Sequence, residues 1–229
     1  MEYYKLAQLD GYDFYTGKTI NYRGEGKFPH TVSVPKPNTQ RGVCSSGVIH
    51  ASSNPNDCFI GARIPCSAYR VRGKPVCGDT KKYGFLALEV IEEIFDLDTL
   101  FGWRYSEAVS PINPFSKKHK PTKRDLELLK LWASVEDSVW DSVEDSVRVS
   151  VWASVRVSVG DSVWVSVWAY IGSFFTGIKK WKYISHKEGE YPFQSAVDLW
   201  RCGLVPSFDG KLWRLHSGKN ARIVWEGEL

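Results

Sequence analysis

Along residues 1 to about 112 the apolar positions come in short runs, broken by Gly, Pro and Asn: "HTVSVPKP", "GVIHASSNPNDCFI", "SAYRVRGKPVCGD" and "FLALEVIEEIF". Runs of this length with near-alternation predict short strands joined by turns, with one or two helices among them. The expected first domain, 1–112, is α+β with a small mixed or antiparallel sheet. "PINPFSKKHKPTKRD" follows, with three prolines and five Lys or Arg between 117 and 124, and reads as a basic linker over 113–124. Thr122 is placed to cap a helix in "RDLELLKLW", where Leu126, Leu129 and Ala133 share a face.

From 132 the period changes to four. Nine consecutive tetrads run from "WASV" at 132–135 to "WVSV" at 164–167, and "WAYI" at 168–171 is a degenerate tenth. The first two positions of each tetrad vary among Trp, Glu, Arg, Gly and among Ala, Asp, Val, whereas Ser-Val is constant. A position that accepts Trp, Glu, Arg or Gly holds no reacting group, so the repeat is scaffolding. In a helix a four-residue period drifts about 40° per tetrad, and in a strand it keeps every Val on one face. The long stretch without Pro or Asn favours helix. Asp137, Asp141 and Asp145, like charges at i,i+4, oppose it. The segment 125–178 is expected to form a long helical repeat, a stalk or hairpin that associates copies of the chain into a homo-oligomer.

Residues 183–229 predict a small module of their own. Phe193, Ala196, Val197, Leu199 and Trp200 lie at helical spacing and Gly203 is a stop signal. Asp209-Gly210, between alternating apolar residues, predicts a hairpin, and the whole reads as a helix followed by a three-stranded meander.

Composition changes this picture little. The chain has 229 residues, 43% apolar and 24% charged, enough for a folded core. A net charge of +4 is a mild basic bias, which disfavours dedicated duplex nucleic-acid binding and points to small anions. Cys44, Cys58, Cys66, Cys77 and Cys202 are odd in number and form no CxxC pair, so free thiols in a reducing cytosol are expected. No basic segment leads into an apolar run at "MEYYKLAQLDGYDFYTG", so no secretion signal is expected. The seventeen uncharged residues from Ser162 to Ile178 fall short of the ~20 that a membrane span requires, so membrane contact is not expected.

Two constellations could carry chemistry. "CSSGVIHASSNPNDC" puts His50 at a strand end with Ser52, Ser53, Asn54 and Asp57 close behind, although "SSNPND" also suits a plain turn. Cys44, His50, Cys58, Cys66 and Cys77 have no zinc-ligand spacing, so no metal is expected. The second set is cationic: Arg23, then Tyr69, Arg70 and Arg72 in "YRVRG", then Lys81 and Lys82. A strand there would point Arg70 and Arg72 to one side as a phosphate clamp, for which the guanidinium fork is suited. Glu89, Glu92 and Glu93 in "LEVIEEI" could add a carboxylate or simply decorate the last strand.

The run Cys44-x-x-Gly47-x-x-His50-Ala51-x-x-Asn54-Pro55-x-Asp57, followed by "YRVRG" and "LEVIEEI", resembles an uncharacterised domain family of phages and prophages. In that family a Cys-x-x-Gly-Phe-His-Ala-Cys-x-Asn-Pro-x-Asp core is often trailed by short Ser- and Val-rich repeats. The likeness covers about residues 12 to 95; this chain departs from it with Val48-Ile49 before the histidine and Ser52 after the alanine. It implies a phage-type accessory protein in the cytosol of a bacterial host, without an activity to carry over. More loosely, the order of Tyr22-Arg23-Gly24, the Gly47 to Ser52 strand and the glutamate-bearing strand is similar to the ADP-ribosyltransferase fold. That likeness would use NAD and give Arg23, Ser52 and Glu92 or Glu93 the catalytic roles.

The function expected from the sequence is binding of a small anionic, nucleotide-like ligand without turnover, for example to sequester a host signalling nucleotide. His50, Ser52, Ser53, Tyr69, Arg23, Arg70, Arg72, Lys81 and Lys82 are the candidate ligand contacts, and no cofactor is required. An NAD-dependent ADP-ribosyltransferase is the alternative, and a structural or virion-associated repeat protein the second.

Overall fold

The computed structural model describes residues 1–38, 46–146 and 164–229, with the backbone alone at 144–146 and 164. The described chain is α+β, with three antiparallel sheets, and divides into two units, Met1–Phe101 and Gly102–Leu229. The boundary falls before residue 112, so the basic stretch 113–124 belongs to the second unit.

In the first unit, strands β1 (Glu2–Ala7), β2 (His30–Ser33), β4 (Ser67–Arg72) and β7 (Ala87–Ile94) form one sheet in the order β1-β4-β7-β2. A smaller sheet has the order β3-β6-β5, from Ile49–Ala51, Tyr83–Phe85 and Cys77–Gly78. Side chains alternate across a strand. Tyr3 and Ala7 of β1, Tyr69 and Val71 of β4 and Val90 of β7 therefore build one core with Ile49, Ala51 and Phe85 of the smaller sheet. Lys5 lies between Tyr3 and Ala7 on this inward face, directly opposite Tyr69.

A bulge changes the last strand. Strict alternation would put Glu89 and Glu93 together. The register instead shifts between Arg70 and Val71, pairing Arg72 with Glu89, Arg70 with Glu92 and Tyr69 with Glu93. One residue left over in β7 reverses which side the later side chains face. Glu89 and Glu92 thus join Arg70 and Arg72 on the outer side, and Glu93 turns inward with Tyr69.

After the short helices α1 (Leu97–Phe101) and α2 (Tyr105–Val109), helix α3 (Lys123–Ala133) of the second unit starts at a full capping box: Thr122 accepts from the Asp125 amide and Asp125 from the Thr122 amide. Of the expected face, Leu129 is buried; Trp132, not singled out from the sequence, is buried beside it. The Lys117–Arg124 stretch is held rather than loose, since the His119 amide donates to Ser217 Oγ at 2.8 Å and the Gly218 amide to the Lys117 carbonyl at 3.2 Å.

Within the described residues the repeat segment does not run as one helix. α3 ends at Ala133, Asp137 lies in a 3₁₀ turn, and α4 (Val139–Ser146) begins after it. At the other end of the repeat, α5 (Trp164–Gly172) packs against α4, with the Trp140 and Trp168 rings edge to face at 5.0 Å. One uninterrupted helix would set residues 140 and 168 about 42 Å apart at 1.5 Å per residue. The repeats within 147–163 lie outside the described residues. In the tetrads that fall in α4 and α5 the constant pair is inside: Ser142, Val143, Ser166 and Val167 are buried, while Trp140, Asp141 and Val165 are exposed; in the first tetrad the order is reversed, with Trp132 buried and Ser134 exposed. The serine hydroxyls donate to backbone oxygens, Ser142 to Lys182 at 2.5 Å and Ser166 to Pro206 at 3.3 Å.

Helix α6 (Gln194–Cys202) buries the whole expected face, Phe193, Ala196, Val197, Leu199 and Trp200. It stops at Gly203, whose φ of +87° is the left-handed cap that favours glycine. Strands β8 (Val205–Phe208), β9 (Trp213–Ser217) and β10 (Arg222–Gly227) then form the expected meander. The turn between β8 and β9 is longer than two residues: Asp209 Oδ1 accepts from the Lys211 and Leu212 amides, and Gly210 takes a φ of +90°. The helix and meander are not a separate module, because α6 packs on α3 and α5 within the same unit. Among the described residues no helix is long and apolar enough to cross a membrane.

Candidate functional site

The first unit holds a cavity of about 850 Å³. Lys5 of β1 and Tyr22 form one wall, and the loop from Asp13 to Ile20 forms another. His50 and Ser52, at the end of β3, face them together with Cys58 and Lys82.

The loop is built around one carboxylate. Asp13 Oδ1 accepts the Thr16 amide at 2.6 Å; Oδ2 accepts the Thr16 hydroxyl at 2.8 Å, the Ile20 amide at 3.2 Å and the Thr19 amide at 3.3 Å. Burial would raise the Asp13 carboxyl, but these bonds outweigh it and hold the group below its ordinary value. Its lone pairs are spent on the loop. Tyr15 at the loop's crest is 83% exposed, an aromatic ring standing at the rim.

The polar groups inside are unevenly matched. Lys5 Nζ lies over the Tyr22 ring, 5.3 Å from its centroid, and among the described residues neither Lys5 nor Lys82 is within ion-pair distance of a carboxylate. Burial pushes the Lys5 ammonium below its ordinary value; Cys58 and Asp13 pull the other way, and Lys82 adds to the lowering. His50 is depressed to about 4 by burial and then by the charges of Lys5 and Lys82, so its ring is neutral at pH 7. Its Nε2 is buried with no hydrogen-bond partner among the described residues. The Cys58 thiol donates to the Tyr4 carbonyl at 3.1 Å, and burial raises it despite Lys5 and the hydrogen bond with Ser52. A thiol held protonated is a weak nucleophile.

Three residues expected from the sequence, His50, Ser52 and Lys82, line this cavity. Ser52 is 1% exposed and its backbone is tied to Tyr4 in both directions, at 2.7 and 3.1 Å. Ser53 and Lys81 are exposed in turns away from the lining; Asn54 caps the short 3₁₀ helix Pro55–Ile60. Arg70 and Arg72 share a side as the strand pattern requires, but they do not form an open clamp. Arg70 Nε lies 3.0 Å from Glu92 and its Nη1 3.4 Å from Glu2, while Arg72 Nε meets Glu89 at 2.6 Å. Arg23 holds Glu93 through two bonds, 2.6 and 3.1 Å, and reaches Ser67 Oγ at 3.1 Å. Tyr69 is wholly buried beside that pair, and burial first, then Glu93, pushes its hydroxyl up to about 12. Of the transferase-like set Arg23, Ser52, Glu92 and Glu93, only Ser52 lines the cavity. Among the described residues no three His, Cys, Asp or Glu converge as a metal site; Cys44 lies outside them.

Lys5 and the Asp13 loop are the parts the sequence reading missed. Asp13-x-x-Thr16-Gly17 is a recognisable side-chain-capped turn. Lys5 left no signal, because "YYKLA" is apolar on both sides of the lysine. No family model, no curated protein and no solved structure matches this chain.

Proposed function

We propose that the first unit binds a small anionic ligand of nucleotide size in the cavity between Lys5, His50 and Lys82, and holds it without turnover. The observation that carries this reading is Lys5: a cation on the inward face of a sheet, in a cavity, with a second cation beside it and, among the described residues, no carboxylate in ion-pair contact. Unpaired charge in a desolvated place is costly, and a bound anion offsets that cost. Phe14, Tyr15, Ile20, Val34 and Pro35 also line the cavity and supply an apolar side for a base or other flat ring, while the lysines supply the phosphate end. Turnover is disfavoured by the protonated Cys58 and by the engagement of Glu93 with Arg23. Sequestering such a ligand is the role that fits a binder of this kind. Calorimetric titration of the full chain with AMP, ADP and NAD tests the reading. Saturable binding with NAD recovered intact is the expected result; absence of binding by all three, or release of nicotinamide from NAD, would overturn it.

A further inference from the structure

The inner face of the first sheet carries a polar row in cross-strand register: Lys5 opposite Tyr69, and Tyr69 opposite Glu93. Glu93 is the carboxylate of that row, but both its oxygens are bonded to Arg23, and the Tyr69 hydroxyl approaches at 3.5 Å. Asp13, the carboxylate of the cavity wall, is filled by its own loop. The cost of the Lys5 charge is met either by a bound anion or by loss of its proton, with Lys82 left to hold the anion. The face of the Tyr22 ring attracts the ammonium, but burial in the cavity lining and the neighbouring Lys82 oppose it. A lysine so placed, in a cavity large enough for a ligand, can serve as a nucleophilic amine.

We propose that Lys5 forms a reversible imine with its ligand, so that the anion held in this cavity is one that also carries an aldehyde or ketone, such as an open-chain sugar phosphate or ADP-ribose. The claim rests on the anion-binding reading and narrows it. The Lys5 Nζ lone pair attacks the carbonyl carbon, forming a C–N bond as the C=O π pair moves to oxygen. A proton passes from nitrogen to that oxygen to give the carbinolamine. The C–O bond then breaks, water leaves with a second proton, and the nitrogen lone pair closes the C=N bond. His50, held neutral by burial first and then by the charge of Lys82, is the imidazole of the cavity that can carry these protons, and Lys82 holds the anionic group. Among the described residues the charged and titratable groups facing Lys5 are Lys82, His50, Cys58, Asp13, Tyr22 and, across the strand pair, Tyr69. Burial leads in lowering the Lys5 ammonium, which favours the free amine the first step requires.

The test is borohydride reduction of the full chain with ADP-ribose or ribose 5-phosphate, which have an open-chain aldehyde, against ADP and AMP, which have none. Intact mass and peptide mapping should find one adduct per chain, on Lys5, with either aldehyde and none with ADP or AMP. Lys5→Arg should lose it. Lys82→Gln should reduce its yield at limiting ligand about tenfold, the worth of one charged contact. Should Lys5→Arg fail to fold, protection of the wild-type adduct by excess ADP replaces it as the site assignment. Adducts scattered over surface lysines overturn the inference. If ADP and ADP-ribose both bind in the calorimeter but nothing is trapped, the imine is wrong and the anion reading stands; if neither binds, both are wrong.

Discussion

Arg23 grips Glu93 with two parallel bonds, Nη2 to Oε1 at 2.6 Å and Nε to Oε2 at 3.1 Å, although the two residues stand seventy positions apart in the chain. This pair ties the loop after Tyr22 to the bulged end of β7. It also accounts for the carboxylate of the inner polar row.

Stability should separate the two neighbouring glutamates. The Glu93 side chain is 9% exposed and bonded to Arg23, whereas that of Glu92 is 49% exposed and meets Arg70 at the surface. Glu93→Gln is expected to cost about 2 kcal/mol in urea unfolding, since it strands part of a partly buried guanidinium, and Glu92→Gln under about 1 kcal/mol. Equal losses would mean that the bulge does not turn Glu93 inward.

Ligand binding should ignore the outer arginines. Arg70→Glu with Arg72→Glu faces Glu2, Glu89 and Glu92 with like charge and lowers the melting temperature, but neither residue lines the cavity. ADP affinity in that double variant is expected to stay within about twofold of wild type, whereas Lys82→Gln loses about tenfold. Loss of binding in the arginine variant would move the site to the outer side of the sheet.

Acid should find His50. Its pKa, near 4 in the folded chain, lies below the ordinary value of 6.5, so the unfolded chain binds the extra proton across that window. Stability therefore rises with pH between about 4 and 6.5 and is lost as pH falls through it; above 6.5 this histidine contributes no slope. Discounted for the part of the ring that sees solvent, the loss is about 2 kcal/mol. The difference between wild type and His50→Gln in unfolding free energy at pH 4.5 and pH 7.5 isolates the effect, and identical slopes would show that the ring is not held neutral.

The repeat should be intolerant at its constant positions and tolerant at its variable ones. Val143 is fully buried against Gly172, where an added Cβ would meet Val143 and the Tyr191 hydroxyl. Val143→Asp is expected to cost more than about 3 kcal/mol and Gly172→Ala more than about 1 kcal/mol, while exposed Asp141→Asn stays within about 0.5 kcal/mol. Thermal unfolding of the three variants measures this, and a stable Val143→Asp chain would remove Ser-Val from the core.

Where one local rule acts alone, the residues sufficed. Thr122 and Asp125 cap α3, Gly203 ends α6 with its five expected apolar residues buried, and Asp209-Gly210 turns β8 into β9, because caps, glycine and helical spacing act within a few residues. In the α4 and α5 tetrads the burial of Ser-Val could likewise be read from what the repeat conserves, whereas the buried Trp132 and exposed Ser134 of the first tetrad could not. Tertiary structure decided the rest. The pairing of α4 with α5 depends on contacts between residues such as Trp140 and Trp168, which no four-residue period specifies. The side on which Glu93 lies depends on a bulge, and a bulge is a property of two strands in register rather than of either sequence. Lys5 faces inward because β1 pairs with β4 in one register; a slip of one residue would put Tyr4 opposite Tyr69 in its place, with no change in local apolar character. The cavity's charge follows from that register, and so only the folded sheet could reveal it.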